Sequence, residues 1–328
     1  MANRDIMTIG ASAGGVETLM KLVAGLPEDL PASIFIVQHL SPEAPSARAE
    51  ILASRGPLRV QTAEDRREFE RGAIYVAPPD RHLMIDRSYM YLTRGPHENH
   101  TRPAVDPLFR SAAVVHGPHV VGVVLSGTLD AGTSGLSAIK RCGGVAIAQD
   151  PEDALYPDMP QNAIDANEDM DYTVDLSKMP ALLARLAAEP PGPPVMPPPM
   201  LMTEVEISLM GHGGVSRLEE IGDLMPITCA ECGGPLWAIR GDKVARFRCK
   251  EGHSYTAKAL AFGLSETVER SLWVAIQTMD ERRRMLEHLA TYEHEKGRES
   301  SAKSFAERAQ EANDHASHLR QLLLAVNQ

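Results

Sequence analysis

Ser12 is the residue of this chain best placed to act as a nucleophile. It sits at the centre of Gly10-Ala-Ser-Ala-Gly-Gly15, directly after the apolar run Ile6–Ile9 and directly before the helix-like run Val16–Ala24. Strand, sharp turn, serine and helix is the layout of a nucleophile elbow. The small neighbours let the backbone turn tightly and let a carbonyl approach the hydroxyl, and the helix start supplies free N–H groups for an oxyanion. The same kind of turn also cradles phosphates, so taken alone it points two ways. A serine hydroxyl needs a base to take its proton. His39 follows the apolar run Ser33–Gln38, and Asp130 lies in Ser126-Gly-Thr-Leu-Asp-Ala-Gly132, just after the run His119–Leu125. In a parallel sheet, chemistry collects at the carboxyl ends of strands, so a serine, an imidazole and a carboxylate would share one rim.

A second constellation is Cys229-Ala-Glu-Cys232 with Cys249-Lys-Glu-Gly-His253. Cys-x₂-Cys and Cys-x₃-His each bring two ligands to one ion through a tight turn, and four ligands with no open position describe a structural zinc site. A module this small would lean on the metal to fold. A redox thiol pair is the competing reading. The basic residues Arg240, Lys243, Arg246, Arg248 and Lys250 raise nucleic acid as a partner, but the neighbouring acidic residues and a net charge of −11 oppose it. A protein-docking or spacing role is expected instead.

The elements that must carry these residues alternate. Strand-like runs at Ile6–Ile9, Ser33–Gln38, Ala73–Val76, His119–Leu125 and Val145–Ala148 alternate with helical patterns at Val16–Ala24, Ser46–Arg55, Pro107–His116, Gly132–Arg141 and Leu176–Ala188. Apolar strands separated by amphipathic helices predict an α/β domain over residues 1–188, a doubly wound and mostly parallel sheet. A hairpin, His82–Ile85 with Tyr89–Thr93, interrupts the alternation. The proline-rich stretch from Glu189 to Pro199 opens a linker over residues 189–226, expected to be extended and exposed at its start. The cysteine module spans 227–256. Residues 257–328 carry two apolar stripes at helical spacing, separated by Lys296–Ser301, which predict an antiparallel helical hairpin whose seam suits a second copy of the chain.

Several residues have competing readings. Arg102 could clamp a substrate or pair with Asp106. His97 and His100 flank Glu98 at a spacing that invites a metal, but no further ligand clusters with them and a surface role is expected. Cys142 reads as a small buried hydrophobe. The chain shows neither a basic start followed by an apolar segment nor an apolar run near the ~20 residues that span a bilayer, so a cytoplasmic protein without membrane insertion is expected.

Taken in order, Gly10–Gly15, Val37-Gln-His-Leu40, Tyr75-Val-Ala-Pro78, Arg102–Phe109, Leu125-Ser-Gly-Thr128 and Ala148-Gln149 resemble the CheB-type chemotaxis receptor methylesterase domain over roughly residues 5–185. The resemblance implies an α/β hydrolase of glutamate methyl esters on chemoreceptors, with no catalytic cofactor. It implies Ser12 as nucleophile, His39 as base and backbone amides near Ala13 and Thr128 as oxyanion donors. The family's aspartate falls on Ala131, so Asp130, one residue early, would have to take the orienting role. The chain starts at the first catalytic strand, so control by phosphorylation is expected to come from a separate receiver-domain protein. Two other functions compete: a docking module of the same fold that has lost turnover, and a dinucleotide-binding oxidoreductase using the Gly10–Gly15 turn. The latter calls for an acidic residue after the second strand, where this chain has Gln38-His39.

Overall fold

The structure, a computed structural model, describes residues 3–39, 47–210 and 215–326. Leu40, Ser46 and Gly211 to Gly214, all part of the readings above, lie outside the described residues. The chain divides into two compact units, Met1–Leu260 and Ala261–Gln328.

The first unit is built on a seven-stranded sheet. Its elements run β1 (Ile6–Ala11), α1 (Gly15–Ala24), β2 (Ser33–Gln38), α2 (Arg48–Ala53), β3 (Arg59–Thr62), β4 (Ala73–Val76), the hairpin β5 (His82–Ile85) and β6 (Met90–Thr93), α3 (Val105–His116), β7 (Val120–Val124), α4 (Thr133–Arg141), β8 (Val145–Gln149), α5 (Asp158–Ala166), β9 (Tyr172–Val174) and α6 (Met179–Ala188). The order β3-β4-β2-β1-β7-β8-β9 is parallel throughout. Successive side chains of a strand point to opposite faces. Thus Ile34 and Ile36 join Leu19, Leu22 and Leu183 on one side of the sheet, while Phe35 and Val37 join Phe109, Leu136 and Met159 on the other. Helices α1, α2 and α6 cover the first face and α3, α4 and α5 the second, which is the doubly wound arrangement expected. Each large side chain so buried contributes roughly 1.5–3 kcal/mol. The edge strands β3 and β9 and helix α5 are absent from the sequence expectation. Arg59-Val-Gln-Thr62 and Tyr172-Thr-Val174 are short and polar because each pairs on one side only.

Residues 190–198, at the start of the expected linker, have no regular structure, and regular structure resumes after them. Proline at a first helical position costs no hydrogen bond, and Pro199 opens α7 (Pro199–Met210). This helix buries Leu201, Val205, Ile207 and the carboxylate of Glu204, and is followed by α8 (Val215–Ile221). Its apolar residues are spread around the helix because it packs against both α3 and α8, so no single stripe announces it.

The cysteine module is an antiparallel four-stranded sheet, β10 (Gly222–Thr228), β11 (Pro235–Ile239), β12 (Arg246–Cys249) and β13 (Ser254–Thr256). It belongs to the same compact unit as the α/β domain. Arg246 and Arg248 are buried, Arg246 on Glu204 and Asp242 and Arg248 on Glu98, which spends two of the module's basic residues inside the protein.

The second unit lies in α9 (Ala257–Glu295), from Ala261 onward, and α10 (Glu299–Val326), joined through Gly297 in a left-handed conformation. The two helices bury Ile276, Leu286, Ala309, Ala312, Ala316 and Leu323, and Arg320 pairs with Asp280 at 2.5 Å. No helix among the described residues is long and apolar enough to cross a membrane.

Candidate active site and cysteine centre

The strand order decides which rim loops meet. β1 lies between β2 and β7, in register Ala11↔Gln38 and Gly10↔Val124, so Ser12, His39 and Ser126 leave three adjacent strands at one end of the sheet. Two backbone bonds fasten these exits: His39 N–H donates to Ala11 C=O at 3.1 Å, and Ser12 N–H donates to Ser126 C=O at 3.0 Å. The elbow turns through Gly14, whose φ of 70° is left-handed and favours glycine. The facing loop approaches so closely that a Cβ on Gly127 would stand 2.8 Å from the Ser12 Cβ. Ser126 ties the parts together: its hydroxyl donates to Ala13 C=O at 2.9 Å and accepts from Tyr156 N–H at 3.0 Å, while Gln149 Oε1 accepts from Ser126 N–H.

Ser12 and His39 come together. Ser12 Oγ lies 3.1 Å from His39 Nδ1, and His39 Nε2 lies 3.3 Å from the Thr101 hydroxyl. Burial, with the neighbouring His82 ring adding to it, lowers the His39 pKa to about 4, so the imidazole is neutral and can accept a proton at neutral pH. The amides of Ala13 and Thr128, beside the elbow and on the facing loop, have no hydrogen-bond partner among the described residues.

Asp130 does not join them. Its buried carboxylate accepts from the Thr256 hydroxyl at 2.7 Å. The turn that carries it is held in place as well: Leu129 takes a left-handed φ of 59°, and Asp106 receives Gly132 N–H at 3.1 Å and Gly135 N–H at 2.7 Å, which fixes the turn into α4. The expected Ser-His-Asp triad is corrected to a Ser-His pair with Thr101 on the outer nitrogen. Arg102 is also committed elsewhere. Its guanidinium donates through Nε to Asp80 at 2.7 Å and through Nη1 to Gly95 C=O at 2.7 Å, so it neither pairs with Asp106 nor faces the serine as a free clamp. Thr101 and His82 carry no recognisable spacing in the sequence. A threonine before Arg-Pro signals nothing until β2 brings His39 to it.

The four cysteine-module residues also converge. One ligand atom from each of Cys229, Cys232, Cys249 and His253 lies within 4.8 Å of every other. Cys232 Sγ and Cys249 Sγ are 3.7 Å apart, and His253 Nδ1 is 3.4 Å from Cys249 Sγ and 3.7 Å from Cys229 Sγ. A tetrahedral ion with metal–sulfur distances of about 2.3 Å would place sulfurs about 3.8 Å apart, whereas a disulfide needs about 2.05 Å. The cluster therefore fits a tetrahedral metal and does not fit a disulfide. His253 Nε2 lies 3.2 Å from Glu231, which also takes His97 Nδ1 at 2.8 Å and His100 Nδ1 at 3.3 Å. His97 and His100, expected on the surface, instead join the catalytic domain to a carboxylate behind the cysteine centre.

A parallel doubly wound sheet with a serine elbow and a neutral histidine at its carboxyl rim has the layout of an α/β hydrolase. The family described as CheB methylesterase matches residues 7–183, more than half of the chain, and the chain belongs to that family. A Leptospira interrogans chain, named as a candidate protein-glutamate methylesterase/protein-glutamine glutaminase, is 35% identical over 185 residues, covering 56% of this chain and 95% of its own length. The protein-glutamate methylesterase/protein-glutamine glutaminase of Pyrococcus horikoshii is 37% identical over 186 residues, 56% of this chain and 50% of its own. The crystal structure of the Thermotoga maritima CheB methylesterase catalytic domain superposes with a TM-score of 0.54 at 34% identity, covering 56% of this chain and 98% of that domain. The chain thus spans nearly all of the Leptospira protein and about half the length of the Pyrococcus one. Membership in a hydrolase family replaces the dinucleotide-binding oxidoreductase reading.

Proposed function

We propose that the α/β domain hydrolyses γ-methyl esters of glutamate side chains on methylated chemoreceptor-type proteins in the cytoplasm, with Ser12 as nucleophile and His39 as base. The observation that carries this reading is the 3.1 Å approach of Ser12 Oγ to His39 Nδ1 beside the unused Ala13 and Thr128 amides. Ser12 transfers its proton to His39 as Oγ attacks the ester carbonyl. The two amides stabilise the resulting oxyanion. Methanol leaves with the proton returned by His39; water then attacks the acyl-serine, His39 takes its proton and passes it to the departing Ser12 Oγ, and the glutamate carboxylate is released. A docking module without turnover is the second reading, and the commitment of Asp130 to Thr256 favours it. Methanol release from a peptide carrying a glutamate γ-methyl ester separates the two: none at any pH between 5 and 9 would leave the docking reading.

The pH profile has a defined sign. His39 must be neutral to act, and its pKa is lowered to about 4. The acid limb of kcat/KM for that peptide is therefore expected near pH 4, more than two units below the limb of an exposed imidazole near 6.5. A limb at 6 or above would show that His39 is more solvated than its surroundings imply.

Zinc is the metal we assign to the cysteine centre, in a structural role. Three thiolates and an imidazole with no open position suit it. Cys249 carries the strongest constraint, being fully buried between Cys232 and His253. Elemental analysis of the purified full chain is expected to find one zinc per chain, and Cys249→Ser to lose it. Less than about 0.2 zinc per chain after purification and reconstitution would end the assignment.

A further inference from the structure

We infer that Thr101 is the positioning residue of the proposed esterase, fixing the tautomer and the orientation of His39 in the place where a carboxylate was expected. The inference rests on the Ser12–His39 reading and adds the group that makes His39 a base toward Ser12. The Thr101 hydroxyl lies 3.0 Å from Glu98 C=O and 3.3 Å from His39 Nε2. A carbonyl oxygen only accepts, so the single hydroxyl proton goes to Glu98. Toward His39 the Thr101 oxygen can then only accept, and Nε2 must carry the ring proton. That leaves the Nδ1 lone pair facing the Ser12 hydroxyl, 3.1 Å away. The chain of donors runs one way, from Ser12 Oγ–H to Nδ1, from Nε2–H to Thr101 Oγ, and from Thr101 Oγ–H to Glu98 C=O. Such a relay polarises in the direction that makes Nδ1 more basic as Ser12 loses its proton.

The threonine is held where this requires. Glu98 and Thr101 exchange both backbone bonds, at 3.2 and 3.1 Å, around Asn99 and His100, whose φ values of 50° and 62° are left-handed. This is the tightest kind of two-residue turn. The cysteine module fastens it: Asn99 N–H donates to Ser254 C=O at 2.8 Å, and Thr256 N–H donates to Asn99 Oδ1 at 2.9 Å. The other ionisable ring beside His39, His82, is itself saturated, accepting Ala104 N–H on Nδ1 and donating to Pro96 C=O from Nε2. It cannot set the His39 tautomer. Asp130, on Thr256, does not reach it.

The test is nitrogen-15 NMR of His39 in the full chain at pH 7, assigned by loss of its signals in His39→Gln, together with steady-state methanol release. In the wild type, Nε2 is expected as the protonated nitrogen and Nδ1 as the bare one. Thr101→Val keeps the shape and removes the hydroxyl. It is expected to mix the two tautomers and to lower kcat about tenfold with KM nearly unchanged, the size of one neutral hydrogen bond. Thr101→Ser is expected to restore both readouts to within about threefold. A wild-type ring protonated on Nδ1 would overturn the inference, even if no variant could be made. So would a Thr101→Val enzyme with unchanged tautomer and kcat. Absence of methanol release from the wild type with the Nε2-protonated ring intact would count against the esterase reading and leave the positioning of His39 by Thr101 standing.

Discussion

Ser12→Ala is expected to lower kcat for methanol release by at least about 10⁴-fold, while KM and the unfolding midpoint stay close to those of the wild type. The size follows from the division of labour at the site. Removing the nucleophile of a serine hydrolase leaves only oxyanion stabilisation and substrate binding, which retain a small part of the rate enhancement. The proposed oxyanion donors are backbone amides at Ala13 and Thr128, and they survive the substitution. The fold should survive it as well. Among the described residues the Ser12 side chain has one hydrogen-bond partner, His39, and the elbow is held by Ser126 and by the Gly14 turn, not by the Ser12 hydroxyl. Stopped activity with an unchanged unfolding curve would identify Ser12 as the nucleophile. Activity within tenfold of wild type would remove Ser12, and with it the elbow, from the reaction.

How much of this was legible in the sequence depends on the range of the interaction. The elbow is local: Gly10 to Gly15 dictates its turn from neighbours a few residues away, and it can be read without the fold. The meeting of Ser12 and His39 needs one further step, that β1 and β2 are adjacent, and the parallel alternation of elements supplies it. The cysteine centre is also local, two tight turns with fixed spacing. What could not be read is set by contacts across long separations. Asp130 is drawn to Thr256 by a module 126 residues away in sequence, and no feature of the Ser126–Gly132 segment announces that partner. Helix α7 was hidden because it buries residues on more than one side, which erases the stripe that periodicity detects. The arginines of the cysteine module read as surface charge because the carboxylates that bury them, Glu98 and Glu204, lie in segments expected at the surface and in a linker.

Glu98→Ala is expected to destabilise the first unit by about 3–5 kcal/mol, the range found when one member of a buried ion pair is removed. Glu98 is 4% exposed and lies between two arginines that are themselves buried. Arg110 reaches it from α3 with Nη2–oxygen distances of 2.7 and 2.6 Å, and Arg248 reaches it from β12 at 2.9 Å. Burial alone would raise the carboxyl pKa, but Arg110 and then Arg248 overcome it and hold the group at about 2. Alanine would leave two guanidinium groups in a dry interior with one carboxylate fewer, and Glu204, already engaged by Arg246, could not neutralise both. The pH dependence has the same origin. The folded pKa lies below the unfolded value near 4.5, so the stabilisation is fully present above about pH 5 and is lost as pH falls toward 2. His39 and His82, each lowered to about 4, add in the same sense, with their share lost between about pH 6.5 and 4. Urea unfolding at pH 7 and pH 4 measures both effects. The wild type should lose stability between the two, mostly through His39 and His82, and a third measurement near pH 3 should show Glu98→Ala losing less than the wild type, because the carboxylate that protonates there is gone. Since the Glu98 carboxylate anchors the turn whose backbone carbonyl orders Thr101, and alanine keeps that carbonyl but frees the turn, the variant should lose part of its esterase turnover at temperatures where it is still folded. A loss of less than about 1 kcal/mol at pH 7 would mean that the two arginines are hydrated, and that the cysteine module is not clamped to the catalytic loop through this carboxylate.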